Sequence, residues 1–227
     1  ARFRLSFHKT GAAALLGHLD LLRELPRVIR RAGVKTAYSI GFHPKPEISF
    51  GPALSLGVAS LGEWVDVLLI DAPDDLLERL NRAVPPGLHF TEALPLGPND
   101  PGINKLLDGA SYVIALGEDV PDVEGKIRDF MAKPEHVVVR KIEGVGKKVD
   151  VRAFVKELTP GGAEALARAG IVGKSLPIAV EMSFSQQGAA KVSEVAQAVF
   201  GDVPFVAVRT RLTAGGASPL ELERFRG

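Results

Sequence analysis

The chain has 227 residues, 46% of them apolar and 24% charged, with 28 Lys and Arg against 27 Asp and Glu. That balance suits one or two globular domains and argues against long disordered stretches. With no cysteine, the chain itself can form no disulfide, Cys-ligated zinc site, iron–sulfur cluster or thiol nucleophile.

The net charge of +1 hides an uneven distribution. Residues 1–50 carry nine basic against three acidic side chains, residues 51–135 six against fifteen, and residues 136–227 thirteen against nine. Two basic regions flanking an acidic one suit a polyanion-binding face with a solvated or partner-facing surface elsewhere. No apolar run approaches the length of a membrane span, and the start alternates like a strand, so a soluble cytoplasmic protein is expected.

Residues 2–7 alternate polar and apolar side chains and predict a strand, stopped by Lys9-Thr10-Gly11. A helix follows, with Leu22, Leu25, Ile29 and Ala32 as its apolar positions, Pro26 inside it and Gly33 as its stop. A strand over 35–39 leads into a segment of turn-formers, aromatics and cations spanning residues 38–52. Gly41 and Gly51 relax its backbone, while Pro44, Pro46 and Pro52 stiffen it. Short strands are expected at 48–50 and 54–58, a dense one at 64–70, a helix from Pro73 through Val84, and a returning strand over 88–94.

Pro95 to Gly102 is a composition break and places the domain boundary at 98/99. The pattern then recurs: strand 111–116, helix 123–132, strand 137–142, a turn through Glu143-Gly144-Val145-Gly146, and strand 148–154. A small-residue helix near 163–169, strand 176–184, helix 192–200 and strand 205–212 complete it. The expected fold is α+β, two tandem ferredoxin-like βαββαβ units with antiparallel sheets over residues 1–98 and 99–227.

Four arginines on the first helix, Arg23, Arg27, Arg30 and Arg31, share a stripe that suits phosphate oxygens. A solvated amphipathic face would look the same. Tyr38, Phe42, His43 and Lys45 interleave rings with cations as single-stranded nucleic-acid binders do, although Phe42 can equally plug the core beneath a tight turn. Arg140, Lys141, Lys147, Lys148 and Arg152 form a basic hairpin that suits a nucleic-acid groove or serves only to discourage edge pairing. Arg209 and Arg211 alternate on the last strand and are expected on one sheet face.

His18 and Asp20 are candidates for acid–base work, with His43 a further imidazole; the alternative is Asp20 as helix N-cap and His18 as a packing residue. The five histidines are scattered without a H-x-x-x-H pair, so no metal site is expected, and no cofactor. Phosphate-loop, dinucleotide, nucleophile-elbow and H-E-x-x-H motifs are missing from the sequence.

Lys9-Thr10-Gly11, Gly17-His18-Leu19-Asp20-Leu21, Arg30-Arg31-Ala32-Gly33 and the 38–52 segment, in that order, resemble the bacterial radical-SAM-linked family. That family is encoded beside, or fused to, cobalamin-binding radical-SAM proteins. The match is strong over the first seventy residues or so and looser through Lys148-Val149-Asp150-Val151-Arg152. Typical members differ at His8 and Gly17, each Ser, and carry Asn-Pro-His-Pro where this chain has His43-Pro44-Lys45-Pro46, which favours the loop as a binding surface over a catalytic one. The resemblance implies a radical-SAM partner and work on RNA. A looser architectural likeness is to the endoribonucleases that process CRISPR transcripts. Three readings follow: an RNA-binding accessory protein, an RNA-acting enzyme using His18, Asp20 or His43, and a protein adaptor gripping its partner through the acidic block. The sequence leaves the oligomeric state open.

Overall fold

The structure, a computed structural model, describes residues 1–142, 144–172, 176–185 and 188–224. In chain order it forms β1 (Arg2–Lys9), α1 (His18–Arg31), β2 (Lys35–Thr36), β3 (Ile48–Phe50), β4 (Ala59–Asp71), α2 (Leu76–Ala83), β5 (Leu88–Leu96) and α3 (Ile103–Leu106). Then come β6 (Gly109–Leu116), α4 (Val123–Met131), β7 (Val137–Ile142), β8 (Val145–Asp150), α5 (Val151–Phe154) and β9 (Val155–Pro160). The chain continues through α6 (Ala163–Arg168), β10 (Ile178–Ser183), α7 (Val192–Phe200), β11 (Phe205–Thr213) and α8 (Pro219–Arg224). It divides into one unit of Ala1–Leu107 with the segment from Ala217, and a second of Asp108–Gly216. Among the described residues no helix is long and apolar enough to cross a membrane.

In the first unit β1 lies between β5 and β4, and β2 and β3 pair with β4, every pair antiparallel. With α1 and α2 as crossovers this is the βαββαβ order expected of a ferredoxin-like sandwich. Alternation on β1 sends Leu5 and Phe7 into one buried cluster with Val65, Val67, Phe90, Leu21, Leu25, Val28, Ile29, Leu76 and Leu80. Each such side chain contributes about 1.5–3 kcal/mol on burial. α1 therefore turns Leu21 and Val28 inward, and Leu22, expected in the core, is 40% exposed. The helix runs unbroken through Pro26, and Gly33 at φ +73° ends it in a conformation other residues resist. Residues 54–58, expected as a strand, form turns instead: Leu54 and Val58 are buried anchors, and Gly57 N–H bonds Ala14 O at 3.0 Å.

The opposite face of β1 carries charge inside the protein. Arg4 grips Asp66 of β4 with two hydrogen bonds, Nε to Oδ1 at 2.8 Å and Nη2 to Oδ2 at 3.0 Å, and both side chains are buried. Two further bonds complete the clasp: Arg4 Nη2 donates to Pro101 O at 2.7 Å, and Asp66 accepts the Ile103 N–H at 2.9 Å. These bonds tie residues 101–103, just beyond the composition break, onto the first sheet. Fully buried Lys9 does similar work at the other end of β1, donating to Leu16 O at 2.8 Å and Ala14 O at 3.3 Å. It thereby fixes the 3₁₀ turn Gly11–Leu15 that aims α1.

The second unit repeats the order: β6 lies between β11 and β10, and β9 follows β10, again all antiparallel. The β7–β8 hairpin forms a separate two-stranded sheet inserted between α4 and β9. Two expectations change here. The strand expected over 148–154 ends at Asp150, whose carboxylate accepts the Arg152 N–H at 3.1 Å and starts α5; the second strand of the unit is β9. Arg209 and Arg211 do not share a face, because the register slips by one residue between them: Arg209 is fully buried and Arg211 faces water. Glu143 of the expected turn lies outside the described residues.

Truncating Asp66 leaves a buried guanidinium uncompensated and the Ile103 N–H without its acceptor. Asp66→Ala is therefore expected to cost about 3–5 kcal/mol in urea-induced unfolding, and a loss below about 1 kcal/mol would show the clasp to be dispensable.

Candidate functional site

Because α1 must bury Leu21, Leu25, Val28 and Ile29, its arginines emerge on the other side. Arg23, Arg27 and Arg30 are exposed and make no side-chain hydrogen bond or ion pair among the described residues. Arg31 is different. Its guanidinium donates to Glu24 Oε1 at 2.6 Å and twice to Ala83 O, at 3.1 and 2.9 Å, so it closes the end of α2 against α1.

Both β2 and β3 run along β4, and the chain between them flares outward as a closed loop. Its neck is a Tyr38–Pro46 bridge, the bonds Ser39 N to Lys45 O at 2.9 Å and Glu47 N to Ala37 O at 2.9 Å, and the Ser39 hydroxyl accepting Lys45 N–H at 3.0 Å. Gly41 at φ +150° turns the tip, a backbone state that a side chain would disfavour. Phe42 does not plug the core: it is 102% exposed, and Ile40 beside it is 106% exposed. His43 and Lys45 are exposed too.

Where the end of α1 meets the loop neck there is a cavity of about 380 Å³ lined by Pro26, Arg27, Arg30, Val34, Lys35, Thr36, Tyr38 and Ile70. Three cations and a half-exposed phenol ring face this groove, and no carboxylate lines it. Guanidiniums take phosphate oxygens bidentately, and the ring offers a stacking face. Lys35 and Ile70 were not singled out by sequence reasoning; only the folding of residue 70 beside residue 36 reveals them. Ile40 had a legible signal, its two-residue spacing from Tyr38 and Phe42.

The acid–base candidates occupy local structural roles. Asp20 is not the N-cap, which is Gly17; it sits three residues later and accepts the Gly17 N–H on Oδ2 at 2.9 Å, closing the helix start. His18 packs edge-on against Phe50, with ring centres 5.6 Å apart. No described contact joins His18, Asp20 and His43 to one another. Among the described residues no group of three or more His, Asp or Glu side chains suits a metal ion.

In the second unit the hairpin divides its cations by face. Arg140 donates to Glu194 through Nε at 2.8 Å and Nη2 at 2.6 Å, and to Ala189 O at 3.0 Å, clamping β7 onto the start of α7. Arg152 lies on α5 and closes α4 by donating to Met131 O at 3.2 Å and Val155 O at 2.8 Å. Lys141 and Lys148 project from the other face with Val137 and Val139, while Lys147, opposite Arg140, is also exposed.

The family described as "Uncharacterized protein conserved in bacteria" (DUF2344) matches residues 2–193, and the chain belongs to that family. No curated protein matches it. Among solved structures, it is similar to a chain of a Cbf5-Nop10-Gar1 complex at 11% identity, covering 92% of this chain and 48% of that one, with a TM-score of 0.48. It is also similar to a chain of an H/ACA RNP bound to a substrate RNA containing 2'-deoxyuridine (12% identity, 96% and 49% coverage, TM-score 0.45). A third is a chain of an archaeal box H/ACA sRNP Nop10-Cbf5 complex (13% identity, 92% and 47%, TM-score 0.43). This chain spans about half the length of the solved chains it matches.

The Arg140–Glu194 clamp makes a pH prediction. Burial pushes the Glu194 carboxyl up, but the hydrogen bonds from Arg140 and the Lys191 N–H outweigh it and hold the carboxyl below its ordinary value. Arg140 is correspondingly raised, chiefly by its bond to Glu194. A carboxyl depressed by folding adds stability above its unfolded pKa of about 4.3, and that stability is lost as pH falls through the lower folded value. Thermal unfolding from pH 7 to pH 3 is expected to show an acid-side loss that Glu194→Gln reduces; identical pH profiles for both proteins would refute the clamp.

Proposed function

We propose that this member of the family binds unpaired RNA through the groove between the end of α1 and residues 34–38, at the neck of the loop, as an accessory protein to a separate RNA-modifying or RNA-processing enzyme. The observation that carries this reading is the lining of that groove: Arg27, Arg30 and Lys35 line it together with Tyr38, and no carboxylate is among its lining residues. Phosphates of a single strand follow the cations while a base lies on the ring, and such binding tolerates sequence. Arg23 extends the track along α1, and Phe42, His43 and Lys45 extend it along the loop. Lys141 and Lys148 supply a second, independent cationic surface on one face of the hairpin, and Lys147 an exposed cation on the other. Arg31, Arg140 and Arg152 serve the fold, since each is spent on internal acceptors.

The resemblance to the radical-SAM-linked family supports an RNA substrate and a radical-SAM partner. Lacking cysteine, this chain cannot hold the iron–sulfur cluster of such an enzyme, so the chemistry would lie with the partner and the RNA grip with this protein. Reciprocal co-purification of the two from cells tests that association, and failure in both directions counts against it.

Binding through backbone phosphates depends on counterion release, so affinity for a single-stranded RNA should fall steeply with salt. In a fluorescence anisotropy series, the triple variant Arg27→Gln, Arg30→Gln, Lys35→Gln is expected to reduce the slope of log K against log salt by about 2. An unchanged slope would remove the groove from the interface, and no binding at low salt would refute the RNA reading as a whole.

A further inference from the structure

The groove accounts for the cations and Tyr38 but not for the loop tip. Ile40 and Phe42 are fully exposed, and among the described residues no other side chain covers them. Such side chains on a floppy loop would fold back onto the nearest apolar surface. Here the neck bonds and Pro44 and Pro46 hold residues 40–44 away from the body, so the tip is presented in advance of any partner. Tyr38 sits at the neck bridge, and Ile40 and Phe42 lie beyond it on the bends of the tip, on either side of Gly41, so two apolar side chains stand past a ring that lines the groove.

We infer that the loop tip is a wedge: Ile40 and Phe42 insert between bases at a bulge or helix–loop junction of the bound RNA while the groove holds the adjoining unpaired strand. This rests on the RNA reading above. Proteins that open nucleic-acid stacks do so with apolar side chains of this kind and offset the cost of unstacking with contacts the opened structure permits. A junction fits best. A flexible single strand offers little stack to enter, and a perfect duplex offers no unpaired strand for the groove. Charge favours nucleic acid over an apolar pocket on a protein. From Lys35 to Pro46 the chain holds no carboxylate, and the tip is bracketed by His43 and Lys45 with Arg27, Arg30 and Lys35 lining the groove. The core of a protein–protein interface is depleted of charge, whereas a polyanion matches a cation-ringed apolar tip.

The test uses the full chain and two RNA hairpins, one with a single-nucleotide bulge and one fully paired, each with 2-aminopurine at the corresponding position. Wild-type protein is expected to raise fluorescence severalfold at the bulge and to prefer the bulged hairpin. Ile40→Ala with Phe42→Ala should abolish the rise and weaken bulged-hairpin binding about tenfold, since stacking contributes on the order of 1–3 kcal/mol per base. The salt slope should not change. Both side chains are solvent-exposed, so the variant is expected to keep its wild-type circular dichroism and melting temperature. Wild-type RNA binding with unaltered 2-aminopurine fluorescence overturns the wedge, leaves the RNA reading intact and assigns the tip to a pocket on a protein partner. No binding to either hairpin or to a single strand overturns both.

Discussion

Burial of Leu21, Leu25, Val28 and Ile29 against β1 and β4 sets the rotation of α1, and the arginine side of the groove inherits that rotation. Had Leu22 pointed inward in place of Leu21, the stripe of arginines would turn by one residue, about 100°, and leave the groove. The helix is aimed as well as rotated. Buried Lys9 holds the carbonyls of Ala14 and Leu16 and so fixes the turn from which α1 departs. Unmade, those bonds would leave an ammonium in the protein interior, which is costly enough to keep the geometry unique.

The same sheet that receives α1 also anchors the loop. β4 pairs with β1 from Ser60 to Leu68 on one edge, and on the other with β3 at Val65 to Val67 and with β2 at Leu69 and Asp71, so β2 and β3 follow one another along it and the chain between them loops outward. A ferredoxin-like unit thus yields a groove and a protruding tip from one strand's pairing. The Arg4–Asp66 clasp holds that strand and its neighbour together beneath the 101–103 segment.

Most of the strand and helix order, the loop and the hairpin were legible in the sequence, because hydrophobic period and turn residues are local signals. What escaped was set by distance along the chain. Arg31, Arg140 and Arg152 read as free cations, yet their acceptors lie 52, 54 and 21 residues away. β9 was missed because its burial recurs every third residue, at Val155 and Leu158, beside a register shift at Glu181 and Met182 of β10, so it lacks the alternation of a regular strand. The slip near Arg209 defeated a face assignment that alternation alone supported. Lys35 and Ile70 joined the groove only once β2 and β4 had paired. Phe42 could be read from the sequence as either a plug or a platform, and its exposure rules out the plug.

Ultraviolet cross-linking of the intact protein to a bulged RNA hairpin, followed by mass spectrometry of the adducted peptides, tests the groove and tip most directly. Adducts are predicted on the peptide that carries Tyr38 and Phe42, and they should fade when Arg27 and Arg30 are both changed to Gln. Adducts confined to other peptides, with Tyr38 and Phe42 unmodified at saturating RNA, would contradict the site.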